Sequence, residues 1–369
     1  MKFSVDQQIL NTCLRHIQNA IPNKPQLPIL SSIHFSLKDK VLTLAATDLY
    51  FGIKSSVQVN TDQELEKVVP GNTFKDLISS FGEGNVEFDI QDNEMQIKYK
   101  GSQLKAPIQS AEEFPEFPEV KGKEIILSKE ILEKIKKLVV FAASNDEARP
   151  VLTTVAFNFK RSGLEVVSTD GFRLAVLQFP EIILEEENIL LIPVKAFNEV
   201  SKILSGSDTE TVSLQVSSAM KQVKFTIDQT EIYVRMLEGE YPPYQKIIPS
   251  DFSMSVEMDG EELKKELQRA FILAKNASNI VEWVIEPEKL VITSSAPSVG
   301  KYQGEVVLTN KEQKSDKIAF NITYVLDFLA SVKPESVWFG MNESLKPAMF
   351  RVDQEEKFIY VVMPFRVNG

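Results

Sequence analysis

Residues that carry chemistry are scarce in this chain of 369. It has one cysteine, Cys13, and two histidines, His16 and His34. One thiol permits no internal disulfide, and metal centres built from His and Cys at short spacing need more of both. No HExxH, CxxC, glycine-rich phosphate loop or GxSxG nucleophile elbow is spelled. Gly82-Glu83-Gly84 comes nearest to a phosphate loop, but it follows a helical pattern and is expected to be a helix-to-strand turn. No apolar run approaches the roughly 18 residues of a membrane helix. Residues Met1–Gln8 lack the apolar stretch of an export signal, so a cytoplasmic protein is expected. This inventory argues against an enzyme without excluding one, and no catalytic residue, metal or cofactor is expected.

What is present is ordinary globular material, with length for two or three domains. The formal net charge is −11. That opposes binding to a phosphate backbone unless basic residues gather on one face.

Self-comparison is more informative. Leu27-Pro28-Ile29-Leu30 aligns with Arg149-Pro150-Val151-Leu152, and Leu42–Asp48 aligns with Leu164–Asp170, both at an offset of 122 residues. Ile9-Leu10 falls on Ile131-Leu132 at the same offset. A weaker third copy starts near Leu263, with Leu290–Ser294 as the matching strand. Each copy reads as helix, strands, helix, strands. The first helices carry apolar stripes: Ile9, Leu10, Cys13, Leu14, Ile17 and Ile21; Ile131, Leu132, Ile135, Leu138 and Val139; Leu263, Leu267, Phe271 and Ile272. The second helices carry Phe74, Leu77, Ile78 and Phe81, then Phe197, Val200, Ile203 and Leu204, then Tyr324, Val325, Phe328 and Leu329. Alternating runs such as Val86–Ile90 supply antiparallel strands. The expected fold is α+β, three tandem helix-plus-antiparallel-sheet domains at 1–121, 122–249 and 250–369. Their helices lean basic, through Arg15, Lys75, Lys129, Lys134, Lys136, Lys137, Lys195, Lys202, Lys264, Lys265 and Arg269. Acids collect elsewhere, at Glu112-Glu113, Glu185–Glu187 and Asp353–Glu356.

The threefold layout, Met1-Lys2-Phe3, "LPIL" at 27–30, "TDGFRLAV" at 169–176, "YPPY" at 241–244, "NITYVLDFL" at 321–329 and "YVVMPFR" at 360–366 resemble the bacterial DNA polymerase III beta subunit family over the whole chain. The resemblance implies the DNA clamp fold and a head-to-tail homodimer ring around double-stranded DNA, held without sequence readout. It implies short linear peptides as ligands, from the replicative polymerase alpha subunit, the clamp loader, other polymerases and repair proteins. Their pocket would use Leu152, Thr169, Gly171, Phe172, Arg173, Leu174, Pro242, Lys246, Ile247, Val361, Val362, Met363, Pro364, Phe365 and Arg366, with Asn321 and Tyr324 at its edge. Contact area is expected from Leu152, Leu174, Ile247 and Val362, and Arg173 and Arg366 are expected to meet peptide carbonyls or acids. DNA contacts fall on Lys24, Arg149 and Lys195, and the dimer contact on Leu104, Ile272 and Leu273. The chain departs from the family pattern at Phe172, where many relatives have His, and at Pro150-Val151, where relatives carry two tyrosines. It also departs at Asp146, in place of a neutral amide. Without the resemblance, two other readings fit the residues: an α+β enzyme or small-molecule binder with a pocket near Arg173 and Arg366, and a repeat scaffold that never meets DNA.

Overall fold

The structure, a computed structural model, describes residues 1–366 other than 92, 185–186, 218–219, 298, 311 and 313. The acidic pair Glu185-Glu186 therefore lies outside the described residues.

The three copies follow one element order. The first runs β1 (Lys2–Asp6), α1 (Gln7–Ile17), β2 (Ser32–Lys38), β3 (Val41–Thr47), β4 (Phe51–Gln58), β5 (Leu65–Pro70), α2 (Gly71–Ser80), β6 (Asn85–Gln91), β7 (Glu94–Tyr99) and β8 (Ser102–Pro107), then a short β9 (Gln109–Ser110). The second runs β10 (Lys123–Ser128), α3 (Lys129–Leu138), β11 (Thr154–Lys160), β12 (Gly163–Thr169), β13 (Arg173–Phe179), β14 (Asn188–Pro193), α4 (Val194–Ser205), β15 (Thr211–Ser217), β16 (Gln222–Ile227) and β17 (Thr230–Arg235). The third runs β18 (Met254–Asp259), α5 (Gly260–Ala274), β19 (Ile280–Ile285), β20 (Lys289–Ala296), β21 (Gly300–Val307), β22 (Asp316–Asn321), α6 (Ile322–Val332), β23 (Ser336–Met341), β24 (Ala348–Val352) and β25 (Phe358–Val362). The Gly82–Gly84 stretch is the turn between α2 and β6, and the Gly84 carbonyl accepts from Gln7 N.

Every copy opens on a strand that the helical reading passes over. In the first, Lys2–Asp6 alternates exposed and buried side chains, and the last residue then caps the helix. Asp6 Oδ1 accepts from the amides of Gln8 and Ile9 at 2.9 and 3.2 Å. Asp259 and Asn321 cap α5 and α6 in the same way. Leu10, Cys13, Leu14 and Ile17 are buried as expected, but Ile9 is 51% exposed. One residue before Leu10, it sits about 100° round the helix, off the stripe. Ile272 on α5 is likewise 58% exposed rather than core.

The chain forms two compact bodies, residues 1–132 with 195–236 and residues 133–194 with 237–369. Neither coincides with one sequence copy, because the sheets cross between copies. The first body holds a four-stranded sheet, β1-β6-β7-β8, and a nine-stranded sheet, β10-β15-β16-β17-β4-β3-β2-β5-β9. The second holds an eight-stranded sheet, β14-β11-β12-β13-β25-β24-β23-β18, and a four-stranded sheet, β21-β20-β19-β22. In each long sheet, the last strand of one copy pairs antiparallel with the fourth strand of the copy before it: β17 with β4, and β25 with β13. The core of the second body is aromatic. Trp283, fully buried, packs against Phe320, Phe339 and Phe350 with centroids 5.2–5.9 Å apart.

Both histidines serve the first body. His16 Nδ1 lies 3.0 Å from Thr230 Oγ1, and His34 stacks on Phe114 with Nε2 3.0 Å from Glu66 Oε1. Burial holds both imidazoles below the ordinary value, for His34 against the pull of Glu66. The unfolded chain then binds protons that the folded chain refuses. This contribution to stability is full above about pH 6.5 and is lost as the pH falls below it. The urea midpoint should therefore drop between about pH 7.5 and 5.5, and a His16→Asn/His34→Gln double variant should shrink the drop. An equal drop in the double variant would assign it to carboxylates instead.

Candidate peptide-binding pocket

Residues 169–173 form a tight turn between β12 and β13. Thr169 Oγ1 donates to Arg173 O at 2.5 Å and accepts from Gly171 N at 3.0 Å. Asp170 Oδ1 accepts from the amides of Phe172 and Arg173 at 2.8 and 3.0 Å. Gly171 has φ +94°, a left-handed conformation that favours glycine, and a Cβ there would meet Arg149 Nη1 at 3.2 Å. The Ser/Thr-Asp-x-x pattern thus encodes its own hydrogen bonds, as turn residues of this type do.

β25 pairs with β13 in register Arg173↔Val362, and the chain continues past it along the turn. Met363 N donates to Phe172 O at 2.8 Å, and Phe365 N donates to Ala319 O at 2.7 Å. Tyr360, fully buried, donates its hydroxyl to Tyr324 O at 2.9 Å and ties β25 to α6. Burial pushes its phenol far above the ordinary value, so it stays a donor.

A third wall comes from residues 241–247. Tyr244 donates to Glu165 and accepts from Asn158 Nδ2 at 3.0 Å. Glu165 is buried, which alone would raise its pKa. Hydrogen bonds from Lys160, Tyr244 and Gln178 outweigh burial and hold the carboxyl below its ordinary value. The anchored Tyr244 shares an apolar cluster with Leu174 and Val361, against which Ile247 packs.

These elements bring most of the expected pocket residues together in the second body, with unequal roles. Leu152, Thr169, Leu174, Val361 and Val362 are buried and form the floor, so Leu152, Leu174 and Val362 do not present the surface expected of them. Leu174 and Val362 sit on central strands of a two-sided sheet, and Leu152 lies in the short helical turn Pro150–Thr153 packed beside β11. Pro242, Ile247, Tyr324, Met363 and Pro364 are half-buried, while Gly171, Phe172, Lys246, Phe365 and Arg366 are exposed. Phe172 and Phe365, 54% and 47% exposed, are the free aromatics of the rim. Arg173 is already engaged. Its Nε donates to Asp170 Oδ2 at 3.0 Å, Nη1 donates to Asp327 Oδ2 at 2.6 Å, and the guanidinium lies 4.8 Å over the Tyr324 ring. It is a brace rather than the free cation expected, a part that Lys246 and Arg366 can take. Asn321 spends its side-chain oxygen on the amide and hydroxyl of Thr323. The sequence reading passed over Asp170, Asp327, Glu165 and Tyr244. Asp170, Tyr244 and Asp327 sit inside quoted motifs and Glu165 does not; Asp327 and Glu165 act through partners far away in sequence.

The remaining expected residues lie apart from this pocket or at its margin. Lys24 is exposed in the first body. Lys195 Nζ is 3.8 Å from Asp48 Oδ2, and Arg149 Nε is 3.3 Å from Asp146 Oδ2. Several other helix cations are neutralised by nearby acids: Lys75 by Asp76, Lys134 by Glu355, Lys202 by Glu199, Lys265 by Glu261 and Arg269 by Glu266. The helices are thus less basic than a count of lysines implies. Leu104 lies on the edge strand β8, and Ile272 and Leu273 lie on α5, which packs against the edge strand β21.

Comparison with known proteins agrees with this architecture. Residues 1–118, 126–243 and 245–366 match the N-terminal, central and C-terminal domains of the DNA polymerase III beta subunit. The chain is 29% identical over 392 aligned residues to the beta sliding clamp of Synechocystis sp., covering all of both chains. It is 26% identical over 378 residues to that of Streptococcus pneumoniae, covering 99% of each. The crystal structure of the beta subunit from Thermotoga maritima superposes over the full length of both chains with a TM-score of 0.91 at 26% identity. The sliding clamp of Bacillus subtilis, at 24% identity and a TM-score of 0.93, shares the fold. The chain belongs to the DNA polymerase III beta subunit family, the beta sliding clamps.

Proposed function

We propose that two copies of this chain close head to tail into a ring around duplex DNA and recruit partners through the pocket at residues 169–173. The chain is a DNA polymerase processivity factor and not an enzyme. It works by keeping a partner at high effective concentration near the template.

The observation that carries the ring is the pairing rule of the sheets. The last strand of the second copy joins the fourth strand of the first, and the last strand of the third joins the fourth of the second. That leaves β8, the strand of the first copy that corresponds to β17 and β25, and β21, the fourth strand of the third, as edges. Repeating the rule between molecules pairs β8 of one with β21 of another, which is a heterologous contact and closes when the rotation allows. Unpaired ladder groups on both edges favour it. Leu104 on β8 and Ile272 with Leu273 beside β21 supply apolar contact. Lys105 is taken by Glu94 at 2.7 Å within its own sheet, so closure rests on backbone pairing and apolar area.

Lys24, Arg149 and Lys195 are the residues we assign to the DNA phosphates. Encirclement suits the net charge of −11, since a ring that gripped many phosphates would resist sliding. The domain seams we assign are 121/122 and 249/250. The pocket takes a short peptide on the apolar rim of Phe172, Ile247, Met363 and Phe365, with Lys246 and Arg366 for its acids. Its clients are the replicative polymerase alpha subunit, the clamp loader, other polymerases and repair proteins. The compartment we assign is the cytoplasm, where a bacterial replication protein meets its DNA. No described helix is long and apolar enough to cross a membrane.

Primer extension on a primed circular template tests this reading. With clamp loader, ATP and this chain, polymerase products should lengthen at least about tenfold, as a tethered partner rebinds before escaping. Products of unchanged length would sink it.

A further inference from the structure

The first body contains the same turn a second time. Thr47 Oγ1 donates to Phe51 O at 3.1 Å and accepts from Leu49 N at 3.0 Å. Asp48 Oδ1 accepts from the amides of Tyr50 and Phe51 at 3.0 and 2.7 Å. These are the bonds of Thr169 and Asp170, one copy earlier. The next link repeats too: Arg235 N donates to Tyr50 O at 2.8 Å, where Met363 N donates to Phe172 O. Leu49 occupies the place of Gly171 and keeps its left-handed backbone, with φ +78°. A leucine there is strained.

The turn borders a cavity of about 200 Å³, closed on its far side by Phe117 and its flanking prolines from the segment after β9. That segment is anchored: Phe117 packs edge-on to Tyr233 at 5.0 Å, with Lys54 Nζ 4.7 Å from its ring centroid. The open side is rimmed by Leu49 and Tyr50, 40% and 57% exposed. Arg235 lies 5.6 Å over the Tyr50 ring. Glu116 lines the same cavity, but among the described residues no carboxylate forms an ion pair with Arg235, in contrast to Arg173 in the second body.

We infer that this groove is a second peptide-docking site, which takes a short extended peptide carrying one large apolar side chain next to a carboxylate. The cavity holds roughly one such side chain, Leu49 and Tyr50 flank it, and the exposed guanidinium of Arg235, which no described carboxylate pairs, receives the acid. Charge complementarity and the repeated turn select a peptide as occupant. The inference rests on the peptide-pocket reading for the chemistry of its ligand, but not for its position.

The test uses the intact chain and a fluorinated probe, acetyl-Asp-Leu-(4-fluoro-Phe) amide, followed by ¹⁹F NMR. Two bound resonances are expected. Arg235→Glu and, separately, Tyr50→Ala should weaken one of them at least tenfold and leave the other. Both side chains are at the surface, so neither change threatens the fold. Met363→Ala should weaken only the other. A single bound resonance, indifferent to Arg235→Glu and Tyr50→Ala, overturns the inference while leaving the second-body pocket in place. A single resonance lost in Arg235→Glu but not in Met363→Ala supports the inference and removes the pocket reading. No bound resonance overturns the inference.

Discussion

A chain ended at Val362 should fold and dimerise normally, yet bind a polymerase-derived peptide at least about tenfold more weakly, a loss of about 1.4 kcal/mol or more. Val362 is the last residue of β25 and is fully buried, so the eight-stranded sheet keeps every strand. What goes is the segment laid along the turn, tied by Met363 N to Phe172 O and by Phe365 N to Ala319 O. It carries the adaptable Met363, the exposed Phe365 ring and the Arg366 charge. Apolar anchors of this kind commonly account for most of an interface's affinity. Fluorescence anisotropy with a labelled peptide reads the result. An unchanged dissociation constant would place the docking groove elsewhere.

Ile272→Asp should turn a dimer into a monomer, with dimer affinity falling at least about a hundredfold, because a charge buried without a partner costs about 3–5 kcal/mol. Ile272 is 58% exposed on the single chain, so a monomer loses little by the change, under about 1 kcal/mol for an acid near a helix C-terminus. Sedimentation velocity separates the two states. A variant that stays dimeric at low micromolar concentration would mean that α5 is not at the contact.

Much of the fold was legible because its signals are local. Helical stripes such as Leu10, Cys13, Leu14 and Ile17 are set by a 3.6-residue period, and the turn at 169–173 is written in adjacent residues that satisfy one another. The repeat offset of 122 residues also made the copies visible. The sheet pairing was not legible. β17 joins β4, and β25 joins β13, across well over a hundred residues, and nothing in either strand's alternation names its neighbour. The same limit explains the pocket. That Thr169, Gly171 and Phe172 sit at a turn follows from their spelling. That Arg173 is spoken for by Asp327, or that Glu165 anchors Tyr244, depends on contacts 154 and 79 residues apart. Burial of Leu174 and Val362 follows from their place in the middle of an eight-stranded sheet, a context no window of sequence contains.

The closed ring is tested most directly by cutting its track. The chain is loaded by the clamp loader onto a nicked circular duplex, isolated by gel filtration at moderate salt, and the circle is then opened with a restriction enzyme. A geometric link predicts that the protein stays with the circle, slides off the linear product within minutes, and is kept again when both ends are blocked by bound protein. Equal retention on circular and open linear DNA would contradict it, since only a protein that grips its DNA is indifferent to the ends.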